Sequence, residues 1–156
     1  MNRQKQPRLL VSACLCGHPC RYDGGQFDIP ALQALEASGE AVAFCPECAG
    51  GLPTPRIPCE ICGDRVISRE GQDCTAAYRR GAEAALAMCR RLGLTAAILK
   101  DGSPSCGVTR IYDGSHTGQC IPGQGITAAR LAENGIALFT EENWTAVFSS
   151  ETDRKD

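Results

Sequence analysis

The chain has 156 residues, 43% of them hydrophobic and 22% charged, with a formal net charge of -2. These values suit one soluble domain spanning residues 1–156, with enough apolar material for its own core. So small a net charge gives no electrostatic reason for a nucleic-acid or membrane-surface partner, and the basic start from Arg3 to Arg8 lacks the apolar run of a signal peptide or membrane span, so a cytoplasmic monomer or weak dimer is expected.

Eleven cysteines are the unusual feature of the composition. Without an export signal, and with an odd count, a disulfide framework is disfavoured, and reduced thiols or metal ligation explain them better.

In chain order, Leu9-Leu10-Val11 reads as a first strand that closes at Ser12-Ala13-Cys14, followed by a loop through Cys16, Gly17, His18, Pro19 and Cys20. Arg21 to Gly25 makes a polar turn. Asp28 is expected to cap a short helix that has Pro30 in its first turn and is ended by Gly39. Ala41 to Phe44 is a second strand that delivers Cys45-Pro46-Glu47 at its end. From Cys48 to Asp73, glycine and proline dominate, so an irregular covering segment is expected with a strand only over Arg65 to Ser68.

The clearest helix follows. Asp73 or Thr75 caps it, Tyr78, Ala82, Ala85, Leu86 and Cys89 recur at helical spacing, Arg90 and Arg91 complement the C-terminal dipole, and Gly93 stops it. Ala96 to Leu99 is a third strand, opening into Lys100-Asp101-Gly102-Ser103-Pro104-Ser105-Cys106-Gly107. A loop spans Ile111 to Gly125, Thr127 caps a helix to Asn134, and Ile136 to Phe139 is a fourth strand. Thr140 is expected to cap a last helix carrying Trp144, Val147 and Phe148, with a disordered tail over 149–156.

Strands alternating with helices imply right-handed crossovers and a compact three-layer, Rossmann-like α/β domain with a mainly parallel sheet. In such a sheet the carboxyl ends of the strands share one edge. Cys14, Cys45 and the Ser103 to Cys106 loop each follow one of those ends, so they can converge although they are far apart in sequence.

Three thiolates at one edge form an incomplete ligand set, because structural zinc sites and iron-sulfur clusters normally take four protein ligands. A catalytic metal site leaves such a position open. The alternative is a zinc-binding structural or interaction module. Cys45-x-x-Cys48 and Cys59-x-x-Cys62 are two knuckle-like pairs ten residues apart; the usual interval is longer, about 15 to 20. Spacing by itself leaves both readings open.

Four segments resemble the short desulfurase family that includes 2-thiouracil desulfurase: V-S-A-C-L-C-G-H-P-C-R-Y-D-G (11–24), C-P-E-C-A-G-G-L-P-T-P-R (45–56), L-K-D-G-S-P-S-C-G (99–107) and I-Y-D-G-S-H-T-G (111–118). A weaker likeness covers G-Q-G-I-T-A-A-R-L-A-E-N-G-I (123–136). The resemblance implies a 4Fe-4S cluster held by Cys14, Cys45 and Cys106, with the open iron taking the sulfur of a thiolated pyrimidine such as 2-thiouracil. It also implies catalytic roles for Glu47 and Ser103. Cys20 fits the family pattern, whereas Cys16, Cys48, Cys59 and Cys62 stand where the family does not require cysteine, which lowers the zinc reading without removing it.

The implied chemistry is a non-redox hydrolysis giving the oxo base and hydrogen sulfide. Glu47, if burial raises its pKa, deprotonates the attacking water, and Ser103 hydrogen-bonds that water or the developing tetrahedral centre. Arg21, Tyr22 and Asp23 are further candidates for substrate contact, although for Arg21 and Asp23 a local ion pair is the better expectation. Tyr22 and Tyr112 either line a pocket for a planar base or fill the core. His18 and His116 read as loop residues, and Ser105 has no assigned role.

Overall fold

The computed structural model describes residues 7–148; the tail expected to be disordered lies outside the described residues. Strands β1 (Leu9–Ser12), β2 (Ala41–Phe44), β5 (Ala96–Leu99) and β8 (Ala137–Thr140) form a sheet in the order β2-β1-β5-β8, with every neighbouring pair parallel. The order reverses between β1 and β5. At such a switch point adjacent loops leave in opposite directions and open a crevice beyond the strand ends.

Period-two alternation distributes the core strand side chains. Leu9, Val11, Ala96 and Ile98 face α1 (Pro30–Ala37), through Leu32, and Val147 near the end of the described chain. Leu10, Ala97 and Leu99 face α3 (Thr75–Leu92) and α4 (Ile126–Glu133), where they meet Ala85, Leu86, Cys89, Ala128 and Leu131. Both faces are covered, which explains why the central strands read as unbroken apolar runs. The architecture is the expected three-layer α/β domain.

The sequence reading needs correction in the covering segments. Residues 50–58 are irregular and β4 (Arg65–Ser68) is a strand, as expected, but a short helix α2 (Pro46–Ala49) starts directly after β2, and a further strand β3 (Cys59–Cys62) pairs antiparallel with β4. A second hairpin, β6 (Arg110–Tyr112) with β7 (Cys120–Pro122), lies within the expected loop after Ile111. Strands of three or four residues leave too short a pattern to separate from turns.

Helix starts also differ. Ile29 rather than Asp28 is the N-cap of α1, and Asp28 instead makes an isolated bridge to Cys16. Cys74 precedes α3, with Asp73 accepting the Thr75 N–H at 2.9 Å. Gly93 ends that helix in the left-handed conformation, as expected. Thr127 is a buried residue inside α4; Gly125 is the N-cap, and the Pro104 and Ser105 carbonyls accept the first free N–H groups of the helix. Residues 141–145 are turn, and helical structure begins only at 146.

Two further features position the carboxyl edge of the sheet. The first is the crossing of α2 over α3. A Cβ on Gly81 would stand 2.0 Å from the Pro46 carbonyl oxygen, and one on Gly50 would stand 2.0 Å from that of Ala77. Glycine inside a helix costs about 1 kcal/mol against alanine, so close approach is its compensation here.

The second is Asp101, which is 2% exposed. One carboxylate oxygen accepts the N–H groups of Val108 at 2.8 Å and Thr109 at 3.0 Å, and the other accepts the Thr109 hydroxyl and lies 3.3 Å from the Arg110 guanidinium. Outside the loop, Glu141 beyond β8 accepts the Asp101 N–H at 2.8 Å and pairs with Lys100 at 2.9 Å. Burial by itself would raise the Asp101 carboxyl, but the donors from Thr109, Val108 and Arg110 outweigh it and hold the group down to about 2.

Two outcomes follow for stability. Gly81→Ala is expected to lower unfolding free energy by about 1 to 3 kcal/mol through overpacking, despite the better helix propensity of alanine, as read by thermal or urea unfolding. A carboxyl depressed in the folded state contributes stability above its unfolded value near 4 that disappears as pH falls through its folded value near 2, so Asp101 should contribute about 2 to 3 kcal/mol at pH 7. Asp101→Asn should remove most of that contribution, and its unfolding free energy should fall less steeply than the wild type's between pH 4 and 2.

Candidate functional site

At the carboxyl edge of the sheet a cavity of about 430 Å³ opens beyond β1, β2 and β5. Its size falls in the range of small-molecule sites, about 300–1,000 Å³. Cys14, Cys45 and Cys106 all line it, as do Glu47 and Ser103.

Each side chain arrives by a different local route. Cys14 sits in a single 3-10 turn, Ala13–Leu15, that terminates β1. Cys45 is the extended residue between β2 and α2, and Glu47 lies in the one turn that Pro46 initiates. Ser103 and Cys106 ride on the loop anchored by Asp101, and a Cβ on Gly107 would stand 2.5 Å from the Arg110 carbonyl, so the turn closes tightly after the thiol.

The Ser103 hydroxyl occupies a specific hydrogen-bonding position. Its oxygen accepts the N–H groups of Ser105 and Cys106, each at 3.0 Å, and its proton points to Glu47 Oε1 at 3.2 Å. Two lone pairs are therefore in use, and Ser103 is left as a donor, its O–H polarised by two backbone dipoles. Ser105, unassigned from sequence, shares a 2.8 Å hydrogen bond with Thr127 inside α4.

Glu47 has a second partner that the sequence reading did not assign. Arg56 donates its Nε–H to Oε2 at 2.8 Å, and Nη2 lies 2.6 Å from the same oxygen as an ion-pair contact. Arg56 also donates to the carbonyls of Cys20 at 3.0 Å and Pro53 at 3.1 Å and to the Thr54 hydroxyl at 3.1 Å. Both partners are largely buried, with side chains 7% and 12% exposed. Although burial pulls the other way, Glu47 holds the guanidinium above its ordinary value. The available signal was that Arg56 closes the segment 45–56 and is the one cation within it.

Of the remaining candidates, Arg21 and Tyr22 line the cavity and Asp23 does not. Arg21 lies over the Phe27 ring at 4.6 Å and 3.9 Å from Asp23, which in turn accepts the Gly25 N–H at 2.9 Å. Tyr22 and Tyr112 are both exposed at the cavity wall, so neither fills the core. His116 also lines the cavity, with its N–H and that of Gly114 held by Glu60 at 3.1 and 2.9 Å. His18 pairs with Glu36 at 2.9 Å, away from the cavity wall.

The zinc alternative does not assemble. Cys59 and Cys62 stand three apart on β3, and a strand sends such side chains to opposite faces. Cys59 packs with Val66 and Tyr78, whereas the Cys62 thiol donates to the Gly114 carbonyl at 3.4 Å. Among the described residues, no three His, Cys, Asp or Glu side chains are gathered for one bare metal ion.

A multi-iron cluster imposes a different requirement, because each cysteine binds its own iron and the sulfurs must be spread around a cavity. Cys14, Cys45 and Cys106 stand on separate elements around the one cavity. Burial pushes the Cys106 thiol up to about 12, and the neighbouring Cys20 thiol together with burial raises Cys45, so neither ionises readily without a neighbouring cation. The donor set fits a 4Fe-4S group.

Comparison with known proteins identifies the chain's relatives. A solved structure of TudS, a 4Fe-4S-dependent thiouracil desulfidase, matches with a TM-score of 0.89 and 47% identity, covering 94% of this chain and 98% of that one. YbbK, an uncharacterised protein of Bacillus subtilis strain 168, is 38% identical over 143 residues, 85% of this chain and 95% of its own length. The 2-thiouracil desulfurase family matches residues 9–143, nearly all of the described fold, and the chain belongs to that family of sulfur-removing enzymes.

Proposed function

We propose that this chain hydrolyses the carbon–sulfur double bond of a thiolated pyrimidine such as 2-thiouracil, using a 4Fe-4S cluster held by Cys14, Cys45 and Cys106. The observation that carries the reading is the convergence on one cavity of three cysteines and a Glu47–Ser103 pair from three separate strand ends. When bound, such a cluster supplies an iron with an open position that attracts sulfur and polarises the C=S bond as a Lewis acid.

The protein side chains handle the protons. Glu47 receives a proton from water at Oε1, the oxygen that Arg56 leaves uncovered. Ser103, unable to accept further, turns its O–H from Glu47 to the water oxygen as it adds to the ring carbon, while the amides of Ser105 and Cys106 stabilise the charge drawn onto the hydroxyl. Glu47 then returns its proton through a ring nitrogen, and the added hydroxyl gives up its proton as C=O forms and the C–S bond breaks, so both water protons leave with the sulfur and the base keeps its own N–H groups. One water is consumed, C=S becomes C=O, and sulfur leaves at the oxidation level of hydrogen sulfide, so no electron enters or leaves. The exposed rings of Tyr22 and Tyr112 offer flat apolar walls to a planar base.

The test is anaerobic purification with iron and acid-labile sulfide analysis, coupled to sulfide release from 2-thiouracil. Glu47→Gln and Ser103→Ala should retain iron and labile sulfide while turnover falls about 10² or more. Cys106→Ala should lose the cluster. One zinc per chain with no labile sulfide after anaerobic reconstitution would overturn the proposal.

A further inference from the structure

We infer that Arg56 is a positioning residue for Glu47, selecting which of its two oxygens handles the proton; this rests on the catalytic role proposed for Glu47. A guanidinium facing a carboxylate commonly makes two parallel bonds, one to each oxygen. Here Nε donates to Oε2 at 2.8 Å and Nη2 stands 2.6 Å from that same oxygen, and Oε1 is left to Ser103 at 3.2 Å. The two oxygens of one carboxylate are thus made inequivalent by geometry.

The remaining donors of Arg56 fix this arrangement. Nη1 reaches the Pro53 carbonyl and Thr54 hydroxyl, each at 3.1 Å, and Nη2 also reaches the Cys20 carbonyl at 3.0 Å. The guanidinium is therefore tied to the loop before it and to the loop after β1, which holds its Nε edge on Oε2. A buried ion pair of this kind is weak grounds for a stability role, because desolvation offsets most of the attraction. Its asymmetry has a direct use in orienting a proton acceptor. Lysine, a point charge without the planar fork, cannot hold Oε2 and reach the Pro53, Thr54 and Cys20 acceptors at the same time.

The experiment compares the cluster-loaded wild type with Arg56→Lys and Arg56→Met, measuring kcat, KM, iron per chain and thermal unfolding, with and without added guanidinium chloride at millimolar concentration. The expected result is a fall in kcat of about 10² in both variants, in line with a misplaced catalytic group, with KM and iron content near wild type. Guanidinium should restore part of the kcat of Arg56→Met, whereas ammonium should not. Wild-type kcat in Arg56→Lys would overturn the inference. So would a loss confined to KM, which marks a substrate contact, or a loss of iron in proportion to activity, which marks a structural role. A fully active Glu47→Gln protein would instead remove the underlying reading of Glu47, so the two failures are distinguishable.

Discussion

The buried carboxylate of Asp101 sets the geometry of the third strand end. A loop of glycine, serine and proline has little side-chain mass with which to pack itself into place, and its own peptide groups need partners once the cavity wall shields them from water. Asp101 supplies those partners from within the loop, drawing residues 108–110 back over the strand that has just ended. The return path leaves Ser103 and Cys106 facing inward. Glu141, delivered by the neighbouring β8, holds the other side of the same turn through Lys100 and the Asp101 amide.

Ser103 and Glu47 depend on that anchoring differently. Ser103 is oriented by main-chain amides of its own loop, so its direction follows from backbone shape. Glu47 is oriented across 56 residues of sequence, between a hydroxyl from one strand end and a guanidinium from the segment that follows α2. The buried charge on that guanidinium is met by five acceptor groups, Glu47 among them, which satisfies the cation without relying on Glu47 alone.

Legibility from sequence followed the strength of the local signal. The four sheet strands and α3 were readable because unbroken apolar runs and a long helical period leave few alternatives, and once the strands are parallel their ends must share an edge. The convergence of Cys14, Cys45 and Cys106 follows from topology. The hairpins β3–β4 and β6–β7 were not readable, since their strands are short and their glycines and prolines look like loop. Missing β3 also kept the zinc alternative alive: Cys59 and Cys62 look like a knuckle until the strand sets them on opposite faces. Arg56 and Asp101 escaped notice for another reason. Each acts through partners beyond its immediate neighbours in sequence, and no periodicity marks a single polar residue that is satisfied by scattered carbonyls or amides.

The crossing of α2 over α3 places Cys45 and Glu47 against the longest helix through two glycines, and the atoms that each missing Cβ would strike are carbonyl oxygens of the main chain. Every amino acid carries that oxygen at the same place. A larger residue at Gly50 or Gly81 therefore cannot be rescued by shrinking a neighbour, as an overfilled side-chain core often can; only a shift of one whole helix relieves it. Because α2 is a single turn joined directly to β2, such a shift would carry the cysteine and the glutamate away from the other two strand ends together. The separation of two helix backbones thus acts as a fixed ruler for the site, and mutational drift at these two positions meets a constraint with no local second-site remedy.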